Sequence, residues 1–373
     1  MPDTKEGADM CHGWVRRKVV TLCTGLRGSQ RKTLSHLVVG AMRCRRASLA
    51  DIGRAMCTGT VAKHNIKRVW RFVSNAGVQV VEGARALVVL AAKAAGGRLF
   101  VAVDWVDIGP YKVLRAAVPL RGRSVPVLFA AYEKWKLYKS QNTFEEGLFI
   151  VLKALLPRGC EVVVLADRGF QRAALARRLQ ELGLGYVIRV TGNVTFFSER
   201  YHGQLYELHM KCGHRRDLGF GQYCRSRPVT QRVLAYWGRN ESAPWLLATD
   251  LTWGWKKIVA AFKQRMMIEE LFRDEKNIRY GWGLRQLKLS SGQRLERMLL
   301  VLAFAYLFLV LLGLICRESL SAKHWASAVS KKKQQCSAFA IGRHMQDTTT
   351  FSVAQLLLTF SVLLTQLSEE NWG

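Results

Sequence analysis

The sequence is poor in acidic residues. Across 373 positions, 27 Asp and Glu face 57 Lys and Arg, which leaves a formal charge of +30 and a pI near 10.3. An excess of that size needs an anionic partner and argues against a small-molecule metabolic enzyme. Nucleic acid phosphate is the leading partner; an anionic membrane surface is the alternative. No Cys-x-x-Cys pair occurs, and the nine cysteines are scattered and odd in number, which argues against a disulfide framework or a zinc ribbon. The start, MPDTKEGADMCHGWVRRK, carries no apolar signal region, so a cytosolic chain with reduced thiols is expected. No repeat of fixed period is evident. With 49% hydrophobic and 23% charged residues, the composition also argues against disorder over most of the chain.

One run does lack charge altogether: Leu299–Cys316, LLVLAFAYLFLVLLGLIC. Its length meets the minimum for a bilayer span. It is a single segment preceded by RLERM in a chain otherwise patterned like a globular enzyme, so a helix buried on all sides is the expectation and a membrane span the alternative.

Residues 1–95 read as helical and basic, with 18 Lys or Arg and five Asp or Glu in the first hundred positions. Ser48 is placed to cap a short helix, with Asp51 three residues on. A turn at residues 57–60 leads into VAKHNIKRVWRFVSN, residues 61–75. Val61, Ile66, Val69, Trp70 and Val73 are expected on its apolar face, and Lys63, His64, Lys67, Arg68 and Arg71 on the other. Two helices about a Gly-containing turn, the second one basic, suggest a helix-turn-helix that contacts DNA through Lys63, Lys67, Arg68 and Arg71. A solvated basic helix in a bundle is the alternative.

Near residue 98 the pattern changes to strands: 98–109, 111–119 and 124–132, with Arg121-Gly122-Arg123 as a turn. A helix over 143–156 capped by Thr143 follows, then a strand ending on Asp167, a turn at Arg168-Gly169-Phe170, the helix QRAALARRLQEL and a strand from Gly185. This order predicts an α/β fold, a mixed sheet with helices packed on it. Residues 191–250 are β-rich and polar, an insertion of unreadable topology. Periodicity predicts one helix over residues 253–280. The tail from 318 carries Lys331-Lys332-Lys333, a phosphate contact or a solvated loop, and then an apolar stretch.

Asp104 and Asp167 are each expected to close a strand, and both reach one sheet edge if those strands are neighbours. A third carboxylate is expected from RMMIEELFRDEK, residues 265–276, where Glu269, Glu270, Asp274 and Glu275 compete; Asp107 competes with Asp104. Arg265, Glu269 and Lys276 fall on one helical stripe. Three converging acids form a hard-oxygen site suited to Mg²⁺ or Mn²⁺, and two such ions can activate a nucleophile and stabilise the leaving oxygen in phosphoryl transfer. Turn-forming aspartates and surface i,i+4 ion pairs are the structural alternatives. Arg168, beside Asp167, holds DNA backbone or pairs locally. His209, Cys212, His214 and Cys224 do not match zinc-finger spacing.

These residues resemble the bacterial DDE insertion-sequence transposases that carry the YREK signature, the IS-four group to which the Tn-five transposase is related. Phe262, Arg265, Glu269 and Lys276 occupy the signature's spacing, with Phe262 in place of its Tyr. VDW at Asp104, ADRGF at Asp167, RLERM at 294–298, RFVSN at 71–75 and PWLLATD at 244–250 extend the likeness over about residues 45–316. The resemblance implies an RNase H-like mixed sheet flanked by helices and interrupted by a β-strand insertion. The layout would be a DNA-binding helical domain (1–95), a first catalytic part (96–190), the insertion (191–250), a second catalytic part with the Glu helix and the buried apolar helix (251–317), and a tail serving dimerisation (318–373). It implies Asp104, Asp167 and Glu269 as catalytic ligands of two Mg²⁺ or Mn²⁺ ions, and DNA contacts from Phe262, Arg265 and Lys276. It further implies a flipped base stacked on Trp245. The chemistry would be cut-and-paste transposition: end cleavage, a hairpin intermediate and strand transfer. The partners would be double-stranded DNA, as terminal inverted repeats and target, and a second copy in a synaptic homodimer, with no membrane. The setting would be the bacterial cytoplasm, at the nucleoid. A metal-dependent DNA endonuclease and a catalytically decayed, DNA-binding relative are the alternatives.

Overall fold

A computed structural model of the chain describes residues 4–137, 140–317, 336–348 and 352–369; Lys331–Lys333 lie outside the described residues. The chain opens with five helices, α1 (Thr4–Leu22), α2 (Gly28–Arg43), α3 (Leu49–Ala55), α4 (Ala62–Ser74) and α5 (Val80–Ala94). Ser48 caps α3 as its position predicts, its Oγ accepting from the Asp51 amide at 3.0 Å. On α4, Val69, Phe72 and Val73 are buried at i, i+3 and i+4. The apolar face departs from expectation at two positions: Val61 is 65% exposed at the N-cap, and Trp70 is 51% exposed. Trp70 follows Val69 and so lies about 100° around the helix, outside the buried stripe. The Arg294 guanidinium sits 5.7 Å from its ring centroid.

The sheet has ten strands: β1 (Arg98–Ile108), β2 (Tyr111–Leu120), β3 (Arg123–Glu133), β4 (Glu161–Ala166), β5 (Gly185–Val190), β6 (Thr195–Ser198), β7 (Tyr201–Gln204), β8 (Arg215–Tyr223), β9 (Val229–Tyr236) and β10 (Trp245–Thr249). Their spatial order is β3-β2-β1-β4-β5-β10-β9-β8-β6-β7. β1, β2 and β3 form an antiparallel meander, whereas β1, β4 and β5 are parallel neighbours. Helices α6 (Gln141–Leu155) and α7 (Ala173–Glu181) make the two crossovers. The mixed sheet with flanking helices is the expected class. α6 starts two residues before the expected Thr143, behind Ser140. Residues 191–250 continue the same sheet: β10 pairs antiparallel with β5, Ala248 opposite Ile188, and carries the remaining strands outward.

The single helix expected over residues 253–280 is two, α8 (Trp255–Gln264) and α9 (Met267–Lys276). At the join, the amides of Arg265, Met266, Ile268 and Glu269 each donate to the carbonyl three residues back, a 3₁₀-like tightening that turns α9 relative to α8. Helix α10 (Gly292–Cys316) is the one described helix long and apolar enough to cross a membrane, and its most apolar window is 89% buried inside the protein. It packs against β3, α2, α4 and α5. Arg297 on α10 donates to the carbonyls of Val73 (3.0 Å) and Val78 (3.4 Å), which ties the N-terminal helices to it.

Two described tail helices, α11 (Ala338–Met345) and α12 (Val353–Glu369), cover the chain's own core. α11 crosses α10 where Gly313 meets Gly342; a Cβ on either would collide with the carbonyl oxygen of Ala338 or Leu309. Phe339 of α11 then packs on Trp282 and Tyr306, at 4.8 and 4.9 Å between ring centroids.

A buried ion pair locks α9 to the sheet: Arg115 on β2 and Glu275 on α9 meet at 2.8 Å with side chains 0% and 1% exposed. Breaking such a pair from one side strands a buried charge. Glu275→Ala is expected to lower unfolding stability by roughly 3–5 kcal/mol in a denaturant titration, whereas Arg115→Met with Glu275→Leu recovers most of the loss. Equal losses in the single and double variants would show that the pair itself, and not the stranded charge, sets the cost.

Candidate active site

β1 and β4 run parallel, and their last registered pair is Val103 opposite Ala166. The next residues on the two strands are Asp104 and Asp167. β4 ends there because Asp167 leads into the 3₁₀ turn Arg168–Phe170. Asp104 does not close its strand, contrary to expectation: β1 continues to Ile108 on its pairing with β2, where Asp104 stands opposite Arg115. The Asp104 Oδ1 accepts from the Trp105 amide at 2.7 Å. Burial raises the Asp104 carboxyl above the ordinary carboxylate value; Arg265 and the Trp105 amide oppose that rise, while the charges of Asp167 and Glu269 add to it. One carboxylate oxygen of Asp167 is buried with no hydrogen-bond partner among the described residues.

Arg265, at the α8–α9 join, is 5% exposed and lies between two of the expected acids. Its Nη1 is 3.4 Å from Asp104 Oδ2, and its Nη2 is 2.6 Å from Glu269 Oε1. The competing acids are held elsewhere. Glu270 pairs with Arg273 at 2.8 Å and Arg123 at 3.3 Å. Asp274 takes Arg123 and the Tyr306 hydroxyl, both at 2.8 Å. Glu275 holds Arg115, and the exposed Asp107 pairs with Lys134 at 3.5 Å. Glu269 is thus the member of the cluster directed toward Asp104 through a shared cation. Burial and Arg285 lower the Lys276 ammonium, against the fields of Asp107, Glu275 and Asp104, so Lys276 belongs to the same neighbourhood.

Among the described residues, no three His, Cys, Asp or Glu side chains are gathered closely enough to hold a metal ion as they stand. The carboxylates nevertheless sense one another electrostatically, and Arg265 occupies the gap between the first and the third. Two aspartates at adjacent register positions, one with a partnerless buried oxygen, suit a hard cation. Glu269 can join them only if Arg265 moves.

Other expected residues fall elsewhere. Trp245 and Phe262 are 8% and 2% exposed and pack edge to face at 5.1 Å. Both rings are packed inside the protein in this structure, so their expected contact with DNA would need the site to open. Arg168 is exposed beside Asp167. Lys67, Arg68 and Arg71 line an open cleft of about 540 Å³ between α2 and α4, with Ser29, Thr33, Thr60 and His64; Lys63 is exposed on the same helix. Nearby on α2, burial first, and then the charges of Arg16, Arg68 and Lys32, push His36 down to about 4. Sequence reasoning did not single out the braces Arg115, Arg123 and Arg172, because isolated arginines in a chain this basic carry no distinguishing pattern.

Residues 140–308 match the family model described as the transposase DDE domain, a span that includes Asp167 and Glu269 and begins after Asp104. A search of curated proteins found no match. The matched domain is that of a DDE-type transposase, a nuclease and transesterase enzyme; such enzymes act on DNA and generally use divalent metal ions. The mixed sheet flanked by helices is consistent with an RNase H-like transposase domain.

Arg265 is the largest influence lowering Asp104, and a cation needs Asp104 deprotonated. Affinity for Mn²⁺ should therefore fall as pH drops through the raised Asp104 value. In Arg265→Gln that midpoint should move up, while at higher pH the variant binds Mn²⁺ more tightly because no guanidinium competes. Calorimetric Mn²⁺ titrations across pH check this; an unchanged midpoint and affinity would show that Arg265 does not occupy the cation's place.

Proposed function

We propose that this DDE-type enzyme is a DNA transposase of the YREK-bearing IS-four kind that performs cut-and-paste transposition, with Asp104, Asp167 and Glu269 as its catalytic carboxylates. The observation that carries the reading is the meeting of Asp104 and Asp167 at successive positions of paired parallel strands, with Arg265 joining Asp104 to Glu269. Divalent cations, two Mg²⁺ or Mn²⁺, would supply Lewis acidity toward the attacking and leaving oxygens when bound. Asp104 and Asp167 hold them from the sheet, and Glu269 completes the set from α9. Arg265 neutralises carboxylate charge between Asp104 and Glu269. Once released, it and Lys276 bind phosphate oxygens of the DNA strand, with Arg168 beside them on the turn after β4.

Lys63, Lys67, Arg68 and Arg71 on α4 hold the duplex by its backbone, and the +30 charge supports tight, salt-sensitive binding. The transposon ends as terminal inverted repeats, a hairpin intermediate, strand transfer to target DNA, and a synaptic homodimer in the bacterial cytoplasm at the nucleoid complete this reading. The tail helix α12 packs on the core with one face and exposes Leu358 and Val362 on another, a surface on which the dimer could form.

Asp104→Asn, Asp167→Asn and Glu269→Gln should each reduce cleavage and joining of a labelled terminal-repeat DNA on the order of 10³-fold or more, about 4 kcal/mol of barrier, with binding retained. Nicking without joining in the unaltered protein would favour the endonuclease reading, and full activity in any of the three variants would remove that residue from the site. In filter-binding titrations, Lys67→Ala and Arg71→Ala should each reduce the slope of log affinity against log salt by about 1. Unaltered slopes would place the DNA on another face.

A further inference from the structure

We infer that Glu145 is a positioning residue that holds the two aspartate-bearing segments in register from the far side of the sheet. The inference rests on the assignment of Asp104 and Asp167 as cation ligands made above. Neighbouring side chains on a strand point to opposite faces. Asp104 therefore points toward the face where α9 lies, and Trp105 toward the face where α6 lies. Trp105 is tied to the site twice: its amide donates to Asp104 Oδ1 at 2.7 Å, and its indole Nε1 donates to Glu145 Oε1 at 2.9 Å.

The other strand end is tied to the same carboxylate. Arg172 follows Asp167 by five residues, just past the 3₁₀ turn, and its Nη2 donates to Glu145 Oε2 at 2.9 Å. One carboxylate on α6 thus receives a donor from the segment that carries each aspartate. Gln141 Nε2 adds a third donor at 3.1 Å, and Arg172 Nη1 reaches Glu146 at 3.2 Å. Glu145 is 1% exposed. Phe144 stacks on Tyr132 at 3.9 Å between centroids, and Tyr132 lies 6.1 Å from Trp105, which shields the network from water.

An ionised carboxylate in such a place is a poor way to gain stability, because its desolvation offsets most of the attraction; well-packed apolar groups do as well. What it adds is direction. Rotation of Trp105 or displacement of Arg172 breaks a charge-assisted hydrogen bond, so the two aspartates keep a fixed separation while Arg265 is exchanged for a cation. Groups that orient ligands in this way typically affect metal affinity by roughly 10–100-fold.

The test is Mn²⁺ binding to the full chain, followed by electron paramagnetic resonance, for the unaltered protein, Glu145→Gln and Trp105→Phe. DNA retention without metal and the thermal midpoint are measured alongside. Glu145→Gln keeps an acceptor for the indole but loses the ion pair with Arg172; Trp105→Phe removes the indole donor while keeping the ring. Each should weaken Mn²⁺ binding roughly tenfold or more, with DNA retention unchanged. Mn²⁺ affinity equal to that of the unaltered protein overturns the inference. So does a loss of affinity matched by lost DNA retention and a lowered midpoint, which would make Glu145 a residue of the fold alone. Failure of the unaltered protein to bind Mn²⁺ at all would instead overturn the assignment of the aspartates, and this inference with it.

Discussion

The parallel pairing of β1 with β4 is the constraint on which the site depends. It ends at Val103 opposite Ala166, so the next residue on each strand is an aspartate, and the 62 residues of intervening chain become irrelevant to their separation. Repulsion between two carboxylates held this way needs a compensating charge. That charge comes from Arg265, which also reaches Glu269. The site proposed to hold cations thus receives a positive charge from the chain itself, at the point where α8 gives way to α9.

Acidic residues are scarce in this protein, and the fold uses them sparingly. Of the four acids in residues 269–275, three brace α9: Glu275 to Arg115, Asp274 to Arg123 and Tyr306, and Glu270 to Arg123 and Arg273. The bracing is what allows Glu269 a defined place opposite the sheet. The surplus of Lys and Arg lies largely on the surface, as in the α2–α4 cleft lined by Lys67, Arg68 and Arg71. Buried carboxylates set geometry, and exposed cations set affinity for a polyanion.

Much of the fold was legible in the sequence because it rests on local patterns. Short apolar runs marked β1 to β5, the Ser48 cap marked α3, and an uncharged run too isolated to suggest a membrane protein marked the buried α10. The failures have physical causes. Trp70 sits one residue beyond the buried stripe of α4, an angular difference that a list of apolar residues does not register. The apolar run before Asp104 suggests a strand end there, but β1 has a second partner in β2 and continues to Ile108. The break at Arg265–Met266 has no glycine or proline to announce it; it arises from tightened turns that tertiary contacts impose. Choosing Glu269 among its neighbours, or singling out Glu145 on α6, required knowing which arginines lie across the core. That is non-local information.

The most direct measurement of the central claim is the anomalous scattering of Mn²⁺ in crystals of the protein soaked with that ion. The account predicts peaks in coordination contact with Asp104 and Asp167, with the Arg265 guanidinium withdrawn from between Asp104 and Glu269. Peaks elsewhere on the molecule, with the Asp104–Arg265–Glu269 bridge intact, would contradict it.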